Sequence, residues 1–371
     1  MFNLGVDLTF IGRDARGMGR FVRNILDAFM NKKKGINIIG LYNPTIEKSI
    51  NLENHLRKWK LKPVSFNDYD KYDCKIVWFP WSRVDFMPDC VKAVNIYDVN
   101  PFLFKNKDSE KDKKRLISAA KKSDIIFTTS VFSAQNIITY LDVDYSKIRV
   151  IYPGIDKVFK KLNLSDAKKE KERKKAGIND KFMLFVGSMD ERKNLKGLLK
   201  SFAVFKEATG SNICLVIAGN SNGKNLFSFF DKNDAFTIAK QLKFNKDIIW
   251  MGEITDEKLN ILYNMAEFLV FPSFHEGFGF PVAEAMKTGL PVICSDRASL
   301  PEITKGSVLY CDPDDINDIS MKMTLMEKDL SLRKKIILAA SSLAEKFSFE
   351  LCKKEYVSVF KKCLEKKLHL K

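Results

Sequence analysis

Histidine is nearly missing from this 371-residue chain; only His55, His275 and His369 occur. The seven cysteines (Cys74, Cys90, Cys214, Cys294, Cys311, Cys352 and Cys363) are odd in number, scattered, and form no C-x-x-C pair. Zinc sites and disulfide frameworks need clustered ligand spacing, so both are argued against, and a reduced, metal-free protein is expected. No apolar run approaches the roughly 18–20 residues that a membrane-spanning helix requires. The opening stretch MFNLGVDLTFIGRDARG places Asp7 inside its apolar part and lacks a basic leader, which argues against a cleaved signal peptide. Zinc fingers, RNA-binding aromatic motifs and basic leucine-zipper patterns are also missing, so no nucleic-acid partner is expected.

What is present suits a two-domain globular chain. Hydrophobic residues make up 45%, charged residues 29% and aromatics 12%, with 29 phenylalanines to fill apolar cores. Lysine and arginine total 63 against 46 acidic residues, a net charge of +17. Such a balance favours polyanions, whether nucleic acid, an acidic membrane surface or phosphorylated substrates. The lysines are spread everywhere, however, and a general lysine-rich bias explains the charge equally well.

Short β-branched or aromatic runs alternate with helical patterns throughout. In the first half, strands are predicted at Phe2–Leu8, Ile36–Tyr42, Lys75–Trp81, Val91–Tyr97, Asp124–Thr129 and Ile148–Tyr152, with helices at Gly19–Met30 and Val131–Leu141 among them. Residues 165–181, SDAKKEKERKKAGINDK, are almost entirely polar: either a solvated helix capped by Ser165 or Asp166 and stopped at Gly177, or a connector. The alternation then resumes with strands Phe182–Gly187, Cys214–Ala218, Ile248–Gly252, Phe268–Phe271, Pro291–Ser295 and Val308–Cys311. Leu195, Leu198, Leu199, Phe202 and Phe205 form one helical stripe; Leu259, Leu262 and Ala266 form another. Two such α/β halves imply parallel sheets wrapped by helices, with a cleft between them and ligands beyond the carboxyl ends of the strands.

The loop endings carry the candidate chemistry. Gly17 and Gly19 precede a helix, where backbone amides can meet an anion, although an ordinary tight turn explains them too. Arg192 and Lys193 stand just before the next helix, an unfavourable place for cations unless an anion such as a diphosphate lies there. Solvent-facing side chains are the plainer reading. In FPSFHEGFGFPVAEAMKTGLPVICS, residues 271–295, Glu276 lies in a loop and Glu284 in the helix that Pro281 opens. A carboxylate accepts two hydroxyl hydrogen bonds, as adjacent sugar hydroxyls require, while the amides of Gly279 and Phe280 suit phosphate or sugar oxygens.

The ordered set Gly17-Met18-Gly19-Arg20, Arg192-Lys193, Gly252-Glu253 and Glu276 to Glu284 resembles that of the family 4 glycosyltransferases of the GT-B fold. The segments TTSVFSAQNI (128–137), KIRVIYPGID (147–156), VGSMDERKN (186–194) and 271–303 extend the resemblance over nearly the whole chain. It implies two facing Rossmann-like domains with a deep inter-domain cleft: residues 1–165 for the acceptor, 166–345 for the nucleotide sugar, and a helix within 346–371 returning to the first domain. Carried over by position, Arg192 and Lys193 neutralise the departing diphosphate, Glu276 holds the transferred sugar, and Glu284 holds the donor ribose. Backbone near Phe278, Gly279 and Phe280 completes the pocket. Gly17 and Gly19 close it from the first domain, and the base lies against Asn220 and Met251–Glu253. Many relatives carry His-Asp after the fourth strand, where this chain has Tyr97-Asp98. Tyrosine is a poor base at neutral pH; Asp98 then orients the acceptor or a sugar hydroxyl, or both residues simply finish a strand.

The resemblance thus implies a cytoplasmic, retaining, metal-independent hexosyltransferase with no cofactor beyond its nucleotide-sugar co-substrate. The EGFGFP and LPEI forms point to mannosyltransferases of bacterial surface polysaccharides, with GDP-mannose as the first donor and a UDP-hexose as the second. The acceptor is a sugar or a lipid-linked sugar, and residues 105–122 are the candidate contact with an anionic membrane at the inner face of the plasma membrane. The rival readings are a nucleotide-sugar 2-epimerase of the same fold and a non-catalytic polyanion-binding protein.

Overall fold

The computed structural model describes residues 2–13, 17–31, 35–104, 108–219 and 235–368. They fold as two units, Met1–Gly154 with Phe347–Lys371 and Ile155–Lys346. In chain order the first unit contains β1 (Phe2–Asp7), α1 (Gly17–Asn31), β2 (Ile36–Tyr42), α2 (Ser49–Leu56), β3 (Val64–Ser65), β4 (Cys74–Phe79), β5 (Val91–Asn95), α3 (Asn100–Leu103), α4 (Ser109–Lys122), β6 (Ile125–Thr128), α5 (Val131–Leu141) and β7 (Ile148–Val150). The second contains α6 (Asp166–Lys175), β8 (Phe182–Val186), α7 (Leu195–Thr209), β9 (Cys214–Ala218), α8 (Ala235–Gln241), β10 (Ile248–Gly252), α9 (Asp256–Met265), β11 (Phe268–Phe271), α10 (Phe280–Thr288), β12 (Val292–Ser295), α11 (Leu300–Thr304), β13 (Leu309–Cys311), α12 (Ile316–Lys328) and α13 (Leu330–Ala344). The last helix, α14 (Phe349–Leu368), packs on α1 in the first unit.

Both sheets are parallel. Their strand orders are β3-β2-β1-β4-β5-β6-β7 and β10-β9-β8-β11-β12-β13. The strands FMLFV, CLVIA, FLVF and VICS are buried along their whole length, which is why they are continuously apolar rather than alternating. On α7 the Leu195–Phe205 stripe is buried against this sheet, and Asn194 caps the helix by accepting from the Gly197 N–H. In the first unit α14 inserts Tyr356 into the core. Its ring lies 4.9 Å from that of Trp78, and its hydroxyl accepts from Asn95, which in turn accepts from the Trp78 indole.

Two expectations shift and one open alternative is decided. The division falls at Gly154 rather than 165, because residues 155–165 are tied to the second unit: the Lys160 and Leu162 amides donate to Asn260 and Asn264 on α9. Within the polar stretch 165–181 the helix alternative holds for Asp166–Lys175, capped by Ser165, with Gly177 at φ 70° just beyond its end. Helix α9 stops at Met265; Ala266 is its extended C-cap, and Tyr263 and Met265 supply the burial the stripe assigned to it.

Candidate active site

In the second sheet the strand order reverses between β8 and β11, the position where ligands meet doubly wound sheets. The loops leaving these two strands are fastened together. The Phe274 amide donates to Arg192 O at 2.8 Å, and Ser273 Oγ lies 3.0 Å from the same oxygen. This brings together three sequence-predicted residues. Lys193 Nζ is 2.5 Å from Glu276 Oε1, and Arg192 Nη1 is 3.3 Å from Glu276 Oε2 and from His275 O. Ser273 Oγ adds a 2.7 Å hydrogen bond to Glu276. Lys193 and Glu276 are each 6% exposed, so the pair is withdrawn from water.

Burial alone would push the Glu276 carboxyl up. The opposed Lys193 and Arg192 charges, with hydrogen bonds from Lys193 and Ser273, outweigh it and hold the group below the usual glutamate value. Burial, helped by neighbouring Arg192, holds the Lys193 ammonium below the usual lysine value despite the pull of Glu276. The centre is a buried carboxylate faced by an ammonium and a guanidinium. Both basic residues stand immediately before the cap of α7, as the sequence suggested. They form a separate 3-10 turn, Glu191–Lys193, and Asn194 at φ 54° stands between it and the helix. The carboxylate of Glu276 supplies the negative charge that this position favours.

Helix α10 begins after Gly279, whose φ of 90° and position 2.5 Å from Leu300 Cδ2 for an added Cβ leave room for glycine alone. One turn in, Glu284 is 2% exposed and accepts from the Tyr263 hydroxyl at 3.0 Å. Phe278 is buried and meets Phe280 edge-on at 5.2 Å. At the neighbouring strand ends, the Gly219 amide donates to Gly252 O, and an added Cβ on Gly219 would lie 1.8 Å from Gly187 O. The tips of β8, β9 and β10 are thus bare backbone, with exposed Glu253 following Gly252. Asn220 lies outside the described residues.

The remaining predicted residues belong to the first unit. Gly17 and Gly19 open α1; a Cβ on Gly17 would meet nothing, so no close approach demands that glycine. The Tyr97 hydroxyl donates to Pro80 O at 2.9 Å, and Asp98 accepts from the Asn100 amide at the start of α3. This sheet reverses between β1 and β4. There the sequence reading passed over Asp7, which is fully buried; one oxygen accepts from the Thr9 amide and hydroxyl, while Oδ2 finds no partner among the described residues. Burial raises its pKa to about 7, and Asp85 adds to the effect. The available signal was a lone carboxylate closing an otherwise apolar strand. Ser273 and Tyr263 were missed as well, because a serine and a tyrosine carry no mark until their partners are known.

Residues 168–342 match the family described as "Glycosyl transferases group 1". Over 180 residues the chain is 31% identical to the Escherichia coli O-antigen chain mannosyltransferase B, covering 48% of this chain and 45% of that protein. Over 226 residues it is 27% identical to the Salmonella typhimurium O-antigen chain mannosyltransferase RfbU, covering 60% and 57%. The chain therefore spans less than two thirds of the length of these curated relatives. Among solved structures, a glycosyltransferase from Rickettsia africae superposes with a TM-score of 0.75 over 98% of both chains at 18% identity. Anabaena Alr3699/HepE in complex with UDP and glucose gives 0.76 over 97% and 99% at 13% identity. These likenesses establish the GT-B fold.

Proposed function

We propose that this chain, whose second unit is a group 1 glycosyltransferase domain, moves a hexosyl group from a nucleotide diphosphate sugar to an acceptor hydroxyl with retention of configuration. The observation that carries this reading is the convergence of Arg192 and Lys193 on Glu276 at the β8/β11 reversal. Charge develops on the diphosphate as the sugar bond breaks, and fixed cations aimed there help the transition state more than the ground state. Glu276 keeps both cations oriented and offers its carboxylate to the transferred sugar; Glu284, oriented by Tyr263, takes the ribose hydroxyls. The acceptor attacks from the face the diphosphate leaves, and its proton passes to a leaving phosphate oxygen. Positioning and electrostatics then supply the catalysis, with side-chain cations in the place a metal takes elsewhere.

Mannose is the first donor sugar because the relatives in E. coli and Salmonella are described as O-antigen mannosyltransferases. A UDP-hexose is the second, by likeness to the structure holding UDP and glucose. A lipid-linked sugar acceptor would bring the protein to a membrane through α4. That helix keeps Lys111, Lys114, Lys121 and Lys122 beside its ion pairs Lys113–Glu110 and Arg115–Asp112. Among the described residues no helix is long and apolar enough to cross a bilayer.

The test is product analysis with GDP-mannose and UDP-hexoses, with and without excess EDTA. A new α-linked glycoside from an α-linked donor, formed equally with chelator, supports the reading. A sugar altered within the nucleotide would make the protein an epimerase, and activity lost to EDTA and restored by Mg²⁺ would remove the metal-free account.

A further inference from the structure

Helix α6, DAKKEKERKK, buries no residue, although it belongs to the second unit. A helix without an apolar face needs some other reason to lie where it does. Its own ion pairs, Glu170–Lys174 and Glu172–Lys175, consume two of its cations on the outer side. Asp166, Lys169 and Arg173 recur at helical spacing and line a cavity of about 740 Å³ between α6 and the body of the unit. The far wall is formed where β8, β11 and β12 begin, from Lys181, Glu267 and Pro291. This is the end of the sheet opposite to Arg192, Lys193 and Glu276.

The charges in this cavity do not balance internally. Glu267 is taken by Arg333 at 2.6 Å, with Lys181 at 3.9 Å. Lys161, Lys169 and Arg173 form no ion pair among the described residues, and Asp166 is the only other carboxylate on the lining. Arg173 Nε is shut off from solvent and has no hydrogen-bond partner among the described residues. A guanidinium N–H placed this way costs free energy unless an acceptor reaches it. The volume is within the range of small-molecule sites.

We propose that this cavity is a second binding site, for a small molecule bearing a phosphate or diphosphate group, held by Lys169 and Arg173 with Lys161 at the mouth. An anion there meets the ammonium of Lys169 and the guanidinium of Arg173 and gives α6 the contact its sequence otherwise lacks. Tyr263 is on the lining of the same cavity, while its hydroxyl holds Glu284 in the candidate active site. The proposal stands whether or not sugar transfer is the reaction.

Amide hydrogen exchange with and without inorganic pyrophosphate, at ionic strength matched with sodium chloride, locates the site. Pyrophosphate should protect residues 161–175 and 288–291, separately from any protection at 187–194 and 273–280. In a Lys169→Gln/Arg173→Gln variant, which keeps both surface ion pairs of α6, the first protection should vanish and the second remain. Calorimetry should show that class of site weakened at least about tenfold. No protection at 161–175, protection by sodium chloride alone, or protection that survives the double substitution would overturn the proposal.

Discussion

Each sheet buries a carboxylate at the point where its strand order reverses, and the two behave in opposite ways. Glu276 lies under Lys193, Arg192 and Ser273 and is held ionised. At Asp7 burial outweighs the Thr9 hydrogen bonds, like-charged Asp85 adds to it, Arg83 offsets only a little, and the pKa rises to about 7. Depth is the same; the neighbouring cations differ. A buried carboxylate becomes an anchoring charge only where the fold supplies the cations on adjoining loops.

The largest expected effect is on the Asp7 side. Below about pH 4 both folded and unfolded chains keep this proton. As pH rises from there to about 7 the unfolded chain releases it while the folded one does not, so stability falls across that window and levels off above it. Asp7→Asn should therefore melt higher than the parent at pH 8 and the same near pH 4. The ceiling is about 4 kcal/mol, reduced because an amide in place of Oδ2 has no acceptor. A constant difference across pH would show that Asp7 titrates normally. On the Glu276 side, Lys193→Met strands a buried carboxylate and should cost about 3 kcal/mol in denaturant unfolding. Adding Glu276→Gln should recover part of that loss; simple additivity would mean the pair is not coupled. Smaller again, Glu284→Ala should weaken nucleotide binding about tenfold, while Glu276→Ala spares nucleotide affinity and lowers turnover. Equal losses of affinity in both variants would erase the distinction between the two glutamates.

Much of the fold is legible in the sequence because buried parallel strands must be apolar throughout and their connecting helices must carry stripes. The strands Cys214–Ala218 and Phe268–Phe271 match their predicted bounds for that reason; the edge strand Ile248–Gly252 matches too, with only Ile248 buried. Strand β3 is only Val64–Ser65, too short to show any period, and was not anticipated. Glu276 and its cations stood out through a family resemblance, but their ion pairing did not, since 83 positions separate Lys193 from Glu276. The position of α6 over a charged cavity was equally hidden: a polar helix and a connector read alike until their neighbours are seen.

The central claim is that Arg192 serves the leaving diphosphate, and its turnover tests this most directly. Removing one preorganised donor typically costs ~10²–10³ in rate, so kcat of Arg192→Ala should fall by about that factor in a protein that remains folded at the assay temperature. Lys174→Ala, which breaks only an exposed pair with Glu170, should turn over like the parent. If Arg192→Ala and Lys174→Ala are both as active as the parent, Arg192 is a counter-ion to Glu276 and nothing more, and the account of this site is wrong.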